Sequence, residues 1–113
     1  MTVDLLIRAR RAVTARGEGA ASVLIRDGRI ADVAALDEPV PAADVVELGE
    51  DVVLLPGLVD SHVHVNEPGH AEWEGFASAT RAAAAGGITT LVDMPLDSVP
   101  TTVDPTALNL KRA

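Results

Sequence analysis

Residues 58–65 read Leu-Val-Asp-Ser-His-Val-His-Val, and no other stretch limits the fold as strongly. Successive side chains of an extended strand point to opposite faces. Asp60, His62 and His64 therefore share one face, while Val59, Val63 and Val65 take the other. A half-exposed strand ordinarily offers Lys, Thr or Glu to water. A row of Asp and His backed by valines predicts instead a strand whose polar face does chemistry. Pro56-Gly57 at the entry and Pro68-Gly69 at the exit bound it.

A bare His-x-His pair also occurs by chance on exposed strands, so its chemistry has to be argued. Two imidazoles at this spacing sit roughly 7 Å apart at their Cα atoms. Both neutral rings can then reach one cation. The chain has no cysteine, so thiolate ligands and disulfides are excluded and any metal site must use His, Asp or Glu. Imidazoles without thiolates suit zinc or a similar divalent ion. His62 and His64 are the candidate ligands, and Asp60 is placed to orient a ligand from behind.

The preceding half reads as a small, mostly antiparallel β unit. Val3 to Ile7, Ser22 to Arg26 and Arg29 to Val33 are strand-like. Asp27-Gly28 supplies the tight turn whose two central residues need positive φ. After an Ala/Pro/Asp-rich loop (34–44), Val45 to Leu48 and Val52 to Leu55 read as two further strands. Arg8, Arg10, Arg11 and Arg16 resemble a targeting segment, but Asp4 and Glu18 favour a solvated strand edge and turn. After the His-x-His strand come a loop (66–70), a helix from Glu72 to Ala85 stopped by Gly86-Gly87, and a strand from Ile88 to Asp93. Trp73, Phe76, Ala77, Thr80, Ala83 and Ala84 form one stripe at helical spacing. Strand, helix, strand over this length predicts a right-handed βαβ unit with parallel strands. Asp104 is a plausible N-cap before Pro105, opening a last helix that runs to the end of the sequence. The fold class is thus α/β, a small β unit followed by βαβα, and the end in mid-helix is that expected of a truncated chain.

Composition narrows the function. The formal net charge is -8, which excludes a phosphate-backbone binder that needs clustered cations. No nucleic-acid partner is expected. No run approaches the roughly 20 apolar residues of a membrane span, so a cytoplasmic chain without a membrane partner is expected. Apolar residues make up 48% but aromatics only 2%, so the core is thin and built of Val, Leu and Ala.

The segment 56–69, Pro-Gly-Leu-Val-Asp-Ser-His-Val-His-Val-Asn-Glu-Pro-Gly, resembles the first barrel strand of the cyclic amidohydrolases. Residues 72–96, from Glu-Trp-Glu-Gly-Phe to Val-Asp-Met-Pro-Leu, are similar to the allantoinase branch of that superfamily. The resemblance implies an incomplete β-sandwich-type domain over 1–54 and the start of a metal-dependent (β/α)8 TIM barrel over 55–113. It implies that His62 and His64 are the first two metal ligands of a site that is binuclear, with zinc, in the complete enzyme. The other family ligands, a carboxylated Lys, two His and an Asp, lie on later strands. Lys111 falls too early to be that lysine, and His70 reads as a solvated loop residue.

Asn66 is the candidate substrate-binding residue. Dihydroorotases carry an Arg at the corresponding place to grip a carboxylate bidentately, which an amide cannot do. Asn66 therefore favours a neutral cyclic ureide such as allantoin. Allantoinases usually show Asn where this chain has Asp97, which puts a charge near the expected mouth of the site. The implied reaction is hydrolysis of a cyclic amide, allantoin to allantoate. A divalent ion acidifies water and polarises the ring carbonyl, and a carboxylate on a later strand moves the proton to the departing nitrogen. The alternatives are a hydantoinase (dihydropyrimidinase) or dihydroorotase relative, or a non-catalytic scaffold that kept the fold. The 113 residues alone are expected to be inactive, and the complete protein to be a homo-oligomer.

Overall fold

The computed structural model describes residues 2–113. It divides into two compact units, one ending at Pro56 and the other running from Gly57 to Ala113.

The first unit is one four-stranded sheet in the order β3-β2-β1-β4. β1 (Val3–Thr14), β2 (Gly17–Arg26) and β3 (Arg29–Ala34) form an antiparallel meander. The turn between β2 and β3 has φ of 51° at Asp27 and 69° at Gly28, the pair of positive values that the Asp-Gly dipeptide predicts. β1 is longer than the sequence suggests. A register shift between Ala9 and Ala12 absorbs Arg10 and Arg11, and Val3, Leu6, Ala9 and Ala12 are buried at three-residue spacing. That spacing disguises the strand, because a bulge resets which side faces the core. Arg11 meets Glu18 across the hairpin at 2.6 Å, and both are half-exposed, so this pair adds little to stability.

The unit is mostly antiparallel, as expected, with one exception: β4 (Ala42–Leu48) pairs with β1 in parallel. The chain after β3 crosses to the far edge of the sheet, anchored where the buried Ser22 hydroxyl donates to the Leu36 carbonyl at 3.0 Å. Val3 N–H then donates to Pro41 O, so β4 begins beside the start of β1. The strand expected over residues 52–55 does not form. Only Leu54 bridges to Ala12, through Leu54 N–H to Arg11 O and Val13 N–H to Leu54 O. Leu54 and Leu48 cover Ala9, Ala12 and Ala21, an alanine core as thin as the composition implies.

The second unit holds a two-stranded parallel sheet of β5 (Leu58–Val63) and β6 (Ile88–Asp93). Parallel pairing needs a crossover of a dozen or more residues, supplied by α1 (Ala71–Glu74) and α2 (Phe76–Ala85). The single helix expected over 72–85 is broken at Gly75, whose backbone is extended. The break has a partner. Glu67 Oε2 accepts the Phe76 N–H at 2.7 Å, an acceptor and a negative charge at the start of α2, where both are favourable. A side chain at residue 75 would meet that same carboxylate. Because of the break, Trp73 does not continue the α2 stripe and is 81% exposed. The alanines of α2 are too short to fill the space over the sheet. They leave a half-open cleft of about 260 Å³ lined by Asp60, His64, Glu74, Ala79, Ala83 and Leu91 among others.

α3 (Pro105–Arg112) starts as its sequence predicts. Asp104 Oδ1 accepts Ala107 N–H at 2.8 Å and Pro105 occupies the first helical turn. No helix among the described residues is long and apolar enough to cross a membrane. The cap gives a direct check. Asp104→Ala should lower the stability of this unit by about 1 kcal/mol in urea unfolding, while Asp104→Asn, which keeps the acceptor, should cost far less.

Candidate metal centre

The site grows from an irregularity in β5. Asp60 pairs with Leu91 and Val63 with Asp93, so β5 carries one residue more than β6 between these two pairs. The extra residue takes the His62 N–H out of the regular ladder. Asp60 Oδ1 accepts it instead, at 3.1 Å. The hydrogen bond found for Asp60 thus orients the His62 backbone rather than an imidazole ring.

β5 ends at Val63, two residues short of the expected strand, because its partner ends at Asp93. Met94 N–H still donates to Val63 O. Val65 N–H turns to a side chain, donating to Asp93 Oδ1 at 3.0 Å. His64 therefore sits just past the strand, yet its ring leans the same way as that of His62. The two Nε2 atoms are 3.2 Å apart, with ring centroids at 5.1 Å and planes tilted by 56°.

That separation has a chemical meaning. Two imidazole nitrogens bound tetrahedrally to one zinc ion at 2.0–2.1 Å stand about 3.3–3.4 Å apart. The pair already has the bite of a two-nitrogen ligand. Without an ion, one Nε2 must carry a proton and donate to the other. On the far side of His64, Nδ1 lies 3.3 Å from Asp97 Oδ2, too poorly aligned for a regular hydrogen bond. Among the described residues no third His, Asp or Glu joins the pair to complete a metal-binding group.

The loops beyond β5 and β6 hold the remaining candidates. Asn66 is half-buried. Its N–H donates to Glu74 O at 3.0 Å and its carbonyl accepts His70 N–H at 2.8 Å. Its side-chain amide makes no hydrogen bond among the described residues. His70 lies apart from the pair, 3.5 Å from Glu72 Oε1 and against the ring of Trp73 at 5.8 Å between centroids. Ser98, buried, contacts the carbonyls of Pro95 and Pro100 and the Thr102 hydroxyl, at 3.2–3.3 Å. It fixes the loop that carries Asp97.

Lys111 and Asp93 escape sequence reasoning. Lys111 Nζ donates to Val65 O at 2.9 Å and Glu67 O at 2.8 Å, and pairs with Asp93 Oδ2 at 3.0 Å. The available signals were faint: an acid closing a β-branched run, and the only lysine in the chain.

Comparison with known proteins gives the family. The model of the Amidohydrolase family matches residues 53–112. The allantoinase of Streptomyces avermitilis is 56% identical over 111 residues, covering 97% of this chain and 25% of that protein. The allantoinase of Arabidopsis thaliana is 50% identical over 109 residues, 93% of this chain and 21% of that one. An Escherichia coli allantoinase is 39% identical over 111 residues, 98% and 24% respectively. Among solved structures, the L-hydantoinase (dihydropyrimidinase) from Arthrobacter aurescens superposes with a TM-score of 0.81 at 30% identity, over 95% of this chain and 24% of that one. The chain thus spans about a quarter of the length of these relatives. A match over more than half of its residues, carrying the His-x-His strand and the parallel strand beside it, makes the chain a member of the amidohydrolase family.

Proposed function

We propose that this chain is the N-terminal portion of a metal-dependent cyclic amidohydrolase that opens allantoin to allantoate. In this reading residues 55–113 begin a (β/α)8 barrel and residues 1–54 belong to an accompanying β domain. The amidohydrolase family is generally metal-dependent, and the observation that carries the reading here is the 3.2 Å approach of the two Nε2 atoms. His62 and His64 would hold the divalent ion, zinc as the best match to an all-imidazole pair. Such an ion, when bound, supplies polarisation of the ring carbonyl and a lowered pKa for water within its reach. Further strands would complete the ligand set. They would also cover Leu58, Val59 and Val92, apolar residues that stand exposed in this unit.

The chain's own residues then have distinct tasks. Asp97, beside His64 Nδ1, favours the tautomer with its proton on Nδ1, which leaves the Nε2 lone pair for the ion. Asp60 fixes the bulge from which His62 projects. Asn66 presents an amide that both donates and accepts, which suits a neutral ureide and not a carboxylate. No proton-transfer residue is assigned within these 113 residues, and the chain on its own should be inactive. A second reading, a hydantoinase, is favoured by the superposition on the Arthrobacter aurescens enzyme.

Assay of the full-length, metal-loaded protein on allantoin, hydantoin and dihydroorotate separates these readings. Allantoin should have the highest kcat/KM. A preference for hydantoin would favour the second reading, and a preference for dihydroorotate would overturn both. Asn66→Arg should lower kcat/KM on allantoin by about tenfold or more and improve the relative rate on the anionic ring. His62→Ala and His64→Ala should each lower zinc affinity in a competition titration. Losing a group that merely orients a ligand costs about 10- to 100-fold, and loss of a ligand should cost at least that. Wild-type zinc affinity in both variants would remove the pair from the metal site.

A further inference from the structure

Lys111 stands 44 and 46 residues from the two carbonyls it binds. Its ammonium has three N–H donors and no acceptor. Three oxygens meet it at 2.8–3.0 Å: Glu67 O, Val65 O and Asp93 Oδ2. The Phe76 ring lies 5.2 Å away, measured to its centroid, at cation–π distance. The side chain is 7% exposed. A buried ammonium that donates to two carbonyls and is ion-paired with a carboxylate is held in one place, and it holds its partners in turn.

Those partners have a pattern. Val65 and Glu67 are the residues on either side of Asn66. Asp93, which takes the ammonium on one oxygen, takes the Val65 N–H on the other. The N–H and carbonyl of Asn66 are bound to Glu74 and His70. The backbone around Asn66 is thus clamped on both sides while its side-chain amide stays free. A guanidinium would not substitute, because its planar fork cannot point at three oxygens disposed around one nitrogen.

We propose that Lys111 is a positioning residue that fixes the Asn66 amide toward the substrate, a role that rests on the reading of Asn66 given above. The ammonium, delivered from α3, locks the loop after β5 through its two carbonyls and through Asp93. It touches neither the imidazole pair nor the reacting atoms. Its loss should therefore loosen substrate binding without emptying the metal site.

The test is Lys111→Met in the full-length, zinc-loaded protein, alone and combined with Asp93→Asn. Methionine keeps the stem and removes the donors. The second change removes the carboxylate charge that would otherwise be stranded. In both variants KM for the ring substrate should rise about tenfold or more, with kcat within about threefold, as expected for a lost ground-state contact. Zinc content should stay unchanged. Amide hydrogen exchange should quicken at Val65 and Asn66 but not in the rest of the β5–β6 ladder. Unchanged KM and unchanged exchange at these two amides in a folded variant overturn the proposal. Failure of both variants to fold overturns it too, since Lys111 would then serve the stability of the whole unit. If the wild-type protein opens none of the rings, the functional reading falls separately, and the exchange comparison alone decides whether Lys111 holds this loop.

Discussion

The carboxylate of Asp93 joins three segments of the second unit: the end of β6, the loop after β5 and α3. Two parallel strands do not make a stable sheet alone, and β5 and β6 have no further strand partner among the described residues. Asp93 closes their end by taking the Val65 N–H on one oxygen and the Lys111 ammonium on the other. It thereby ties the loop after β5 to α3. Removing one member of such a pair leaves a largely buried charge without compensation, which typically costs 3–5 kcal/mol. The closure anchors the backbone at Val65, the residue after His64, while neither imidazole ring touches Asp93 or Lys111.

The local features of the fold are legible in the sequence because their causes are local. Asp27-Gly28 dictates its turn through two positive φ values. Asp104-Pro105 dictates a helix start through one acceptor and one missing donor. The convergence of His62 and His64 follows from strand alternation, and it survives although the strand ends at Val63. What escapes is long-range. The parallel placement of β4 depends on a crossover anchored by Ser22, and the break at Gly75 on a carboxylate eight residues earlier. The hold of Lys111 on Val65 and Glu67 spans more than forty residues. The three-residue spacing of buried positions in β1 reflects a bulge that no periodicity announces.

Asp60 and Asp97 illustrate how a site residue's type can be read before its task. Asp60 lies beside a register shift in β5, and its carboxylate faces a backbone N–H released because β5 carries one residue more than β6 there. Asp97 stands where the resemblance leads one to expect Asn. In three dimensions that departure lies beside His64 Nδ1, where a carboxylate suits an imidazole better than an amide does. Asn66 offers the reverse contrast: its backbone is engaged on both its N–H and its carbonyl, and its side chain makes no hydrogen bond among the described residues.

The central claim is that His62 and His64 together grip one divalent ion through Nε2. Diffraction from crystals of the full-length protein grown with zinc, measured on both sides of the zinc absorption edge, tests it directly. The account predicts an anomalous peak about 2.0–2.1 Å from both Nε2 atoms. Anomalous density elsewhere, with the two rings still hydrogen-bonded to each other, would contradict it.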